Sequence, residues 1–174
     1  MRGAPVAVSA ALVAASLAVS RAHAAALGHH ETPPAATDSA SCVEAASFAR
    51  DTQHMIARVD PDTIDDWRTH RRLAGCRVTA AGVTSIGVGE EAKRFYERLR
   101  AAGWTRTPDP RDAPHEASLR FRHGATDCVF NIYGEARLGT DAEFAVNDSL
   151  ATRAGAARYQ LLVLCMPALP ADPR

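Results

Sequence analysis

Four cysteines constrain the fold of this 174-residue chain more than any other feature of its sequence. Their number is even, and no two of them stand in C-x-x-C spacing, which argues against a thioredoxin-like redox centre and a zinc ribbon. In an oxidising compartment such a set predicts two structural disulfides, for which three pairings are possible. The four positions are Cys42, Cys76, Cys128 and Cys165.

The amino-terminal segment predicts export into such a compartment. A positive start at Arg2 is followed by an apolar run over 4–19 and a small-residue A-x-A end, which is the layout of a secretory signal peptide. We expect residues 1–24 to be removed, with cleavage after Ala24 or alternatively after Ala26. The apolar run is shorter than the roughly 20 residues that span a bilayer. The sequence therefore predicts a periplasmic or secreted protein with no membrane span in its mature form.

Composition narrows the class of the mature chain. The 20 basic and 20 acidic residues give a formal net charge of zero, so we expect no nucleic-acid partner. An apolar fraction of 47% is too high for a disordered chain, and the length suits one domain. Residues 25–40 carry Pro33 and Pro34 without any apolar period, which predicts a flexible tail. Residues 41–170 remain as a single domain.

The first part of that domain predicts two helices. Ser41 and Glu44 have the spacing of a capping box, and apolar residues at helical intervals then predict a helix over 42–58. The Asp-Pro pair at 60–61 is typical of a helix start. We expect a short second helix from this pair to about 73–75.

The clearest element is an amphipathic helix over 90–102. Apolar residues form one stripe of this segment, charged residues fill the rest, and Gly103 stands at the expected carboxyl-terminal cap. We expect the helix to bury Phe95 and Leu99 against a sheet. Trp104 follows the glycine directly, and it is expected either to seal the helix onto the sheet or to serve as a binding aromatic.

The second half of the chain predicts strands. The prolines of 104–114 exclude a central strand there. Alternating residues over 117–122 and 128–133 predict a hairpin with a short turn. Residues 134–157 predict a long loop, or a loop with one short element. The segment 159–166 is apolar on both faces, which predicts a strand in the middle of a sheet.

This order of elements favours an α+β fold, with a mostly antiparallel four-stranded sheet, helix 90–102 on one face and an N-terminal helical segment. The side-chain alternation places Cys128 and Cys165 on one face of neighbouring strands, within disulfide reach of each other. Cys42 and Cys76 then pair by elimination. Two disulfides would thus join the sheet internally and tie it to the first helix.

A glycine-rich turn follows the first expected strand, 76–88, in which Gly82 predicts a bulge or bend. The segment 87–92 matches G-x-G-x-x-A between a strand and a helix, which is the context of a dinucleotide-binding fingerprint. Glu90 and Glu91 would repel a pyrophosphate there. We interpret the segment as a turn whose acidic residues complement the helix dipole, and we predict no cofactor.

Candidate binding residues are mostly basic. Arg120 and Arg122 mark the outward face of the predicted hairpin, and His115 stands in the proline-rich loop. An acidic partner or an envelope polymer could bind the densest basic run, although a solvated charged face explains the same pattern. That run contains Arg68, Arg71, Arg72 and Arg77 around Trp67 and His70.

Metal and catalytic chemistry have weaker support. A mature chain that begins at Leu27 would offer an amine, two amide nitrogens and the His29 imidazole to Cu(II) or Ni(II), with His30 nearby. No G-x-S-x-G motif is present. The only acid/base candidates form a loop cluster of Asp109, Asp112, His115 and Glu116, and the segment 147–149 fits a glycosylation sequon.

The sequence thus favours a small non-enzymatic domain that binds an envelope protein or a small ligand. One alternative is a periplasmic hydrolase or metal-dependent enzyme that uses the 109–116 loop. A second alternative is copper or nickel binding through the histidine tail.

Overall fold

A computed structural model of the chain describes residues 40–107, 118–151 and 154–168. These ranges contain three α-helices and six strands, and every strand is antiparallel to its neighbours, so the α+β class is confirmed. The elements are, in chain order, α1 (Ala40–Ser47), β1 (Ile56–Asp66), β2 (Arg71–Thr84), α2 (Val88–Ala101), β3 (Thr105–Arg106), β4 (Ser118–His123), β5 (Thr126–Tyr133), α3 (Asp141–Asp148) and β6 (Ala157–Pro167).

The sheet has the strand order β1-β2-β6-β5-β4-β3. β6 lies between β2 and β5, which confirms the central position predicted for the last strand. The hairpin of β4 and β5 is confirmed as well. The prediction of four strands is wrong, because it omitted β1 and the two-residue edge strand β3.

β1 occupies residues that the sequence assigned to helices. The predicted helix over 42–58 is too long: α1 passes into a π-helical turn, Phe48–Thr52, and His54 then adopts a left-handed φ of 54° that turns the chain into β1. The helix predicted from 60–61 is also wrong, since β1 pairs with β2 along its whole length. Pro61 is compatible with a strand at this position because β1 lies at the sheet edge.

The outer edge of β1 is closed at three positions. The Arg50 guanidinium donates to the carbonyl oxygen of Ala57 at 3.0 Å, and the Asp62 carboxylate accepts from the amide of Thr63 at 2.8 Å. Pro61 has no amide hydrogen. Unpaired backbone groups on an edge are what an added strand would bind, so these positions do not accept one.

One face of the sheet, which we call the helix face, carries Cys128 and Phe130 of β5 and is covered by α1 and α2. Phe95 and Leu99 of α2 are fully buried, which confirms the predicted stripe and its helix. Phe95 packs edge-on against Phe48, with ring centroids 5.2 Å apart, so α2 also contacts the segment that follows α1. The main hydrophobic core lies on this face.

α2 ends where its glycine predicts. Gly103 has a φ of 92°, and its amide donates to the carbonyl of Arg100 at 3.0 Å. The amide of Trp104 donates to the carbonyl of Leu99 at 3.2 Å. These two bonds form a Schellman motif, which needs a left-handed residue that glycine adopts without steric cost.

Both disulfides lie on the helix face. Cys42–Cys76 joins α1 to β2 with a Cα–Cα distance of 6.0 Å, and Cys128–Cys165 joins directly opposite residues of β5 and β6 at 4.1 Å. This is the pairing that the sequence predicts. All four residues are fully buried.

The opposite face, which we call the hairpin face, carries Arg120 of β4 and Gln160 of β6. α3, a short element within the 134–157 segment, covers part of it, because Asn147 exchanges hydrogen bonds with Gln160 at 2.8 and 3.1 Å. The far end of the β1–β2 hairpin covers another part, where Asp66 contacts Arg120. We call residues 66–72 the hairpin tip.

Two glycines let β2 approach β6 closely. A Cβ on Gly75 would collide with the carbonyl oxygen of Cys165, and a Cβ on Gly82 would stand 2.8 Å from Cε1 of Tyr159. The strand pairing runs through Gly82 without interruption, so the predicted bulge is wrong. The residue is a glycine because the Tyr159 ring occupies the space of a side chain.

Three predicted segments lie wholly or partly outside the described residues. The expected flexible tail over 25–40 is outside them up to residue 39, and so are residues 108–117 of the proline-rich loop. The expected leader, 1–24, is outside them as well.

Candidate functional site

The hairpin tip carries an exposed tryptophan, Trp67, directly after a buried aspartate, Asp66. The chain reverses between Asp66 and Arg71, and His70 adopts a left-handed φ of 54° in this turn. Trp67 is 42% exposed, although large apolar side chains usually avoid solvent. The guanidinium of Arg120 lies 5.9 Å from the centroid of the Trp67 ring, which is within cation–π range.

Asp66 attaches the tip to the sheet through a fully buried ion pair. Arg120 donates to its carboxylate at 3.1 Å, and neither side chain is exposed. The Thr69 hydroxyl donates to the same carboxylate at 2.8 Å, and the Arg68 guanidinium lies 3.6 Å from it. Burial by itself raises the pKa of Asp66, but the Thr69 hydrogen bond and the charges of Arg120 and Arg68 outweigh burial, so the net shift is downward.

Asp127 of β5 forms the second contact between the tip and the sheet. It is fully buried and accepts two hydrogen bonds from Arg122, at 2.7 and 2.9 Å. Arg68 of the tip reaches the same carboxylate at 3.5 Å. The hydrogen bond that Arg122 donates to Asp127 also raises the pKa of Arg122. Because Arg68 approaches both aspartates, one charge network joins the tip to β4 and β5.

The structure separates the two arginines that the sequence grouped together. Both point away from the helix face, as the strand alternation predicts, but Arg120 is only 1% exposed because the hairpin tip covers it. Its assignment to an outward, solvent-facing surface is therefore wrong. Arg122 remains partly exposed beside Asp127.

Trp104 belongs to the core of the helix face. It is buried, its ring stacks on His123 with centroids 5.0 Å apart, and its edge contacts Phe130 at 5.3 Å. Trp104 packs the end of α2 against the sheet, which is the first of the two roles that the sequence predicts for it.

Several candidate residues lie outside the described ranges. They are His29 and His30 of the tail and the loop cluster of Asp109, Asp112, His115 and Glu116. Within residues 40–107, 118–151 and 154–168, no three histidine, cysteine, aspartate or glutamate side chains come close enough to hold a metal ion.

The glycine-rich segment 87–92 forms the N-cap and first turn of α2, and the antiparallel sheet differs from the parallel sheet of a dinucleotide fold. Gly87 has a φ of 83°. Glu91 accepts from the Thr84 hydroxyl at 2.9 Å and lies 3.5 Å from Arg98, while Glu90 contacts Lys93 at 3.4 Å. Both acidic side chains thus have protein partners.

A second polar network lies beneath α3. The buried Glu143 carboxylate accepts from the Tyr133 hydroxyl at 3.1 Å and from three successive backbone amides, of residues 137–139, at 2.8 to 3.1 Å. Burial and the charge of Glu143 raise the pKa of Tyr133, which keeps this hydroxyl a donor. The amide of Asn147, in the sequon 147–149, is bonded to Gln160 and to the carbonyl of Glu143. These bonds leave no free amide for glycosylation in the folded chain.

Sequence reasoning missed the two buried aspartates that organise the site. The sequence pattern predicts a helix at Asp66. Asp127 lies in β5, on the face that the pattern predicts to be exposed to solvent. One signal could have found Asp127: across a short hairpin turn it stands directly opposite Arg122, so the two side chains share a face.

No protein-family model, no curated protein and no solved structure matches the chain. No helix in the described part of the chain is long and apolar enough to cross a membrane. The site itself must therefore carry any functional argument.

Proposed function

We propose that this protein is a non-enzymatic binding domain of the periplasm or extracellular space, and that its hairpin tip contacts an acidic partner protein. The contact surface, which we call the tip surface, consists of Trp67, His70, Arg71 and Arg72. All four side chains are exposed.

Two features support the compartment. Both disulfides join residues that are fully buried, and such structural bridges are typical of oxidising compartments. The signal-peptide pattern of residues 1–24 agrees with this location.

The observation that carries the proposal is an exposed tryptophan on a firmly attached turn. Trp67 follows Asp66 and precedes Arg68, and both of these neighbours are tied to the sheet by buried or half-buried ion pairs. Tryptophan and arginine are the residues most enriched at the centres of protein interfaces. A turn that is already ordered loses little conformational entropy on binding. The tip is therefore built as a preformed contact point.

The charge of the tip surface indicates the kind of partner. Arg71, Arg72 and His70 are exposed around the tryptophan, and Arg72 lies 3.4 Å from Asp65 with both side chains more than 70% exposed. Such a surface ion pair is worth about 0 to 1 kcal/mol, so a partner carboxylate can replace Asp65 at small cost. An acidic protein surface would complement this arrangement.

Site-specific photo-crosslinking tests the proposal. A photoreactive amino acid replaces His70 at the tip in one sample and Phe144 of α3 in the other, since Phe144 is 56% exposed on a different element. Both chains are expressed in the native host and irradiated there. We expect a discrete adduct with an acidic protein from position 70 and none from position 144. The same adduct from both positions, or from neither, contradicts a specific tip contact.

Affinity measurements with the captured partner then separate the tryptophan from the charges. We expect Trp67→Ala to weaken binding at least about tenfold, as loss of an interface hot spot does. Arg71→Glu should also weaken binding and reduce its salt dependence. Arg94→Glu on α2 is the matched control. Arg94 is also an exposed arginine, but it lies on a different element and its ion-pair partner is Glu90. Equal binding by Arg71→Glu and Arg94→Glu would contradict the acidic-partner proposal.

A further inference from the structure

Three of the four cysteines form a row across the sheet. Cys76 of β2 stands directly opposite Cys165 of β6, and Cys165 stands directly opposite Cys128 of β5. All three are fully buried on the helix face. Cys42 lies on α1, which covers this face, and is bonded to Cys76 of the row. The two disulfides of the protein are therefore immediate neighbours.

Cys165 is within bonding reach of two different cysteines. Its present partner, Cys128, is on one side, with a Cα–Cα distance of 4.1 Å. On the other side is Cys76, and directly opposite residues of antiparallel strands have Cα atoms about 4.5 to 5.5 Å apart. That separation falls inside the range of about 4.4 to 6.8 Å over which disulfides form. A Cys76–Cys165 bond would therefore fit the existing sheet without movement of the strands.

We propose that this row is a thiol–disulfide exchange site, in which opening of the Cys42–Cys76 bond allows Cys76 to attack the second disulfide. The external co-reactant is a dithiol, and because Cys42 and Cys76 are fully buried it reaches their bond when α1 opens locally. It transfers two electrons and two protons to the Cys42–Cys76 bond, becomes a disulfide itself, and leaves two thiols on the protein.

The second step needs no further electrons. The Cys76 thiol loses its proton to solvent, and the thiolate attacks Sγ of Cys165. The Cys76–Cys165 bond forms, the Cys128–Cys165 bond breaks, and Cys128 leaves as a thiolate that takes up a proton. Exchange of this kind requires the three sulfur atoms to lie near one line, and the row places Cys76, Cys165 and Cys128 in that order on adjacent strands.

The exchange changes what holds α1. In the present pairing Cys42 fastens α1 to β2, whereas in the exchanged pairing the single bond Cys76–Cys165 joins β2 to β6, and Cys42 and Cys128 are free thiols. α1 is then held by packing alone, to which its fully buried residues Cys42, Ala45 and Ala46 contribute. Reduction of the Cys42–Cys76 bond releases α1, and the exchange then keeps Cys76 in a cross-strand bridge, so that Cys42 cannot re-form its bond.

The variant Cys42→Ser tests the exchange without an added reductant, because it leaves Cys76 as a free thiol beside the Cys128–Cys165 bond. After incubation at mildly alkaline pH, free thiols are blocked in acid and non-reducing peptide mapping identifies the bridges. We expect a Cys76–Cys165 bridge in more than about one tenth of the molecules. About one tenth is the share that remains when the equilibrium favours the Cys128–Cys165 isomer tenfold. A smaller share overturns the proposal.

Cys128→Ser provides the reciprocal test if the first variant fails to fold. It leaves Cys165 free beside the Cys42–Cys76 bond, and the same Cys76–Cys165 bridge should appear as Cys42 is released. The double variant Cys42→Ser/Cys76→Ser is the control, because it keeps one disulfide and has no attacking thiol. Appearance of free thiol at Cys128 in this control would show that any loss of the Cys128–Cys165 bond has another cause, and would contradict the exchange.

Discussion

On the helix face, α1 and α2 cover the sheet with apolar side chains such as Phe48, Phe95 and Leu99, whereas on the hairpin face the covering elements attach through charged and polar groups. The tip contacts the sheet through Asp66 and Arg120, and α3 through Glu143 and the amide pair with Gln160. The two covers thus lie on opposite sides of one sheet.

The difference between the faces concerns precision of placement. Apolar contacts are non-directional, and on the helix face the Cys42–Cys76 disulfide adds a fixed point between α1 and β2. Buried ion pairs and multiple hydrogen bonds have strict geometry, and a cover attached by them has few alternative positions. This geometry suits a turn that presents a tryptophan to a partner. Substitutions on the two faces should accordingly differ in the kind of contact they remove and in how far they lower the free energy of unfolding.

The largest effect is expected on the helix face. Phe95→Ala removes a fully buried ring that contacts Phe48 and Phe130, and we expect a loss of about 3 to 5 kcal/mol in the free energy of unfolding. Phe144→Ala is the control, because its side chain is exposed and should change the value by less than about 0.5 kcal/mol. Both are measured by urea denaturation. Similar values for the two variants would mean that α2 does not form the core.

A slightly smaller effect is expected on the hairpin face. Arg120→Met leaves Asp66 buried without its closest cation, and we expect a loss of about 3 kcal/mol, at the low end for a broken buried pair because Arg68 stays nearby. The double variant Asp66→Leu/Arg120→Met removes both charges and should recover at least half of this loss. A double variant that is less stable than Arg120→Met would show that the pair itself, and not the unpaired charge, dominates.

The second polar network should give an intermediate effect. Glu143→Gln removes the charge that three backbone amides and Tyr133 bind, and hydrogen bonds to charged groups contribute about 1.5 to 3 kcal/mol each. Because glutamine retains one acceptor oxygen, we expect a loss of about 2 kcal/mol and faster hydrogen exchange at the amides of 137–139. Glu135→Gln, an exposed residue in the same segment, is the control. Unchanged exchange at these amides would contradict the described network.

The smallest effect depends on pH. The pKa of Asp66 is lowered in the folded protein, so its contribution to stability is complete above the ordinary value of 3.8 and is lost as the pH falls through the folded pKa. We expect the difference in unfolding free energy between the wild type and Asp66→Asn to stay constant from pH 7 to about pH 5. It should decrease only in more acidic solution. A difference that already decreases near pH 6 would mean that the pKa of Asp66 is raised.

The two faces also differ in how far the sequence predicts them. Apolar periodicity located α2, Phe95 and Leu99, and the phase of Cys128 and Cys165 located the cross-strand disulfide. The same periodicity treats a charged residue as solvent-exposed, so Arg120 was placed outside although another part of the chain covers it. Nothing local in the sequence indicates that a hairpin whose Asp66 is 54 residues from Arg120 folds over β4.

β1 was mistaken for a helix for a related reason. Ile56 and Val59 have helical spacing, and Asp60 with Pro61 resembles a helix start, but these residues pair with residues 76–81 of β2, inside the first strand that the sequence predicts. The long-range pairing outweighs local preference. Residue identity could have suggested it, since Ile56, Val59, Thr63 and Ile64 are β-branched and favour strands.

The closed edge of β1 has a consequence for self-association. A peripheral strand of 11 residues is long enough to template stacking of further copies, and the opposite periphery of the sheet ends in a strand of only two residues. Arg50, Pro61 and Asp62 interrupt that template along β1, the longer of the two edge strands. Pairing of a second copy along β1 is therefore disfavoured at these positions, and replacing Arg50, Pro61 and Asp62 should make such pairing easier.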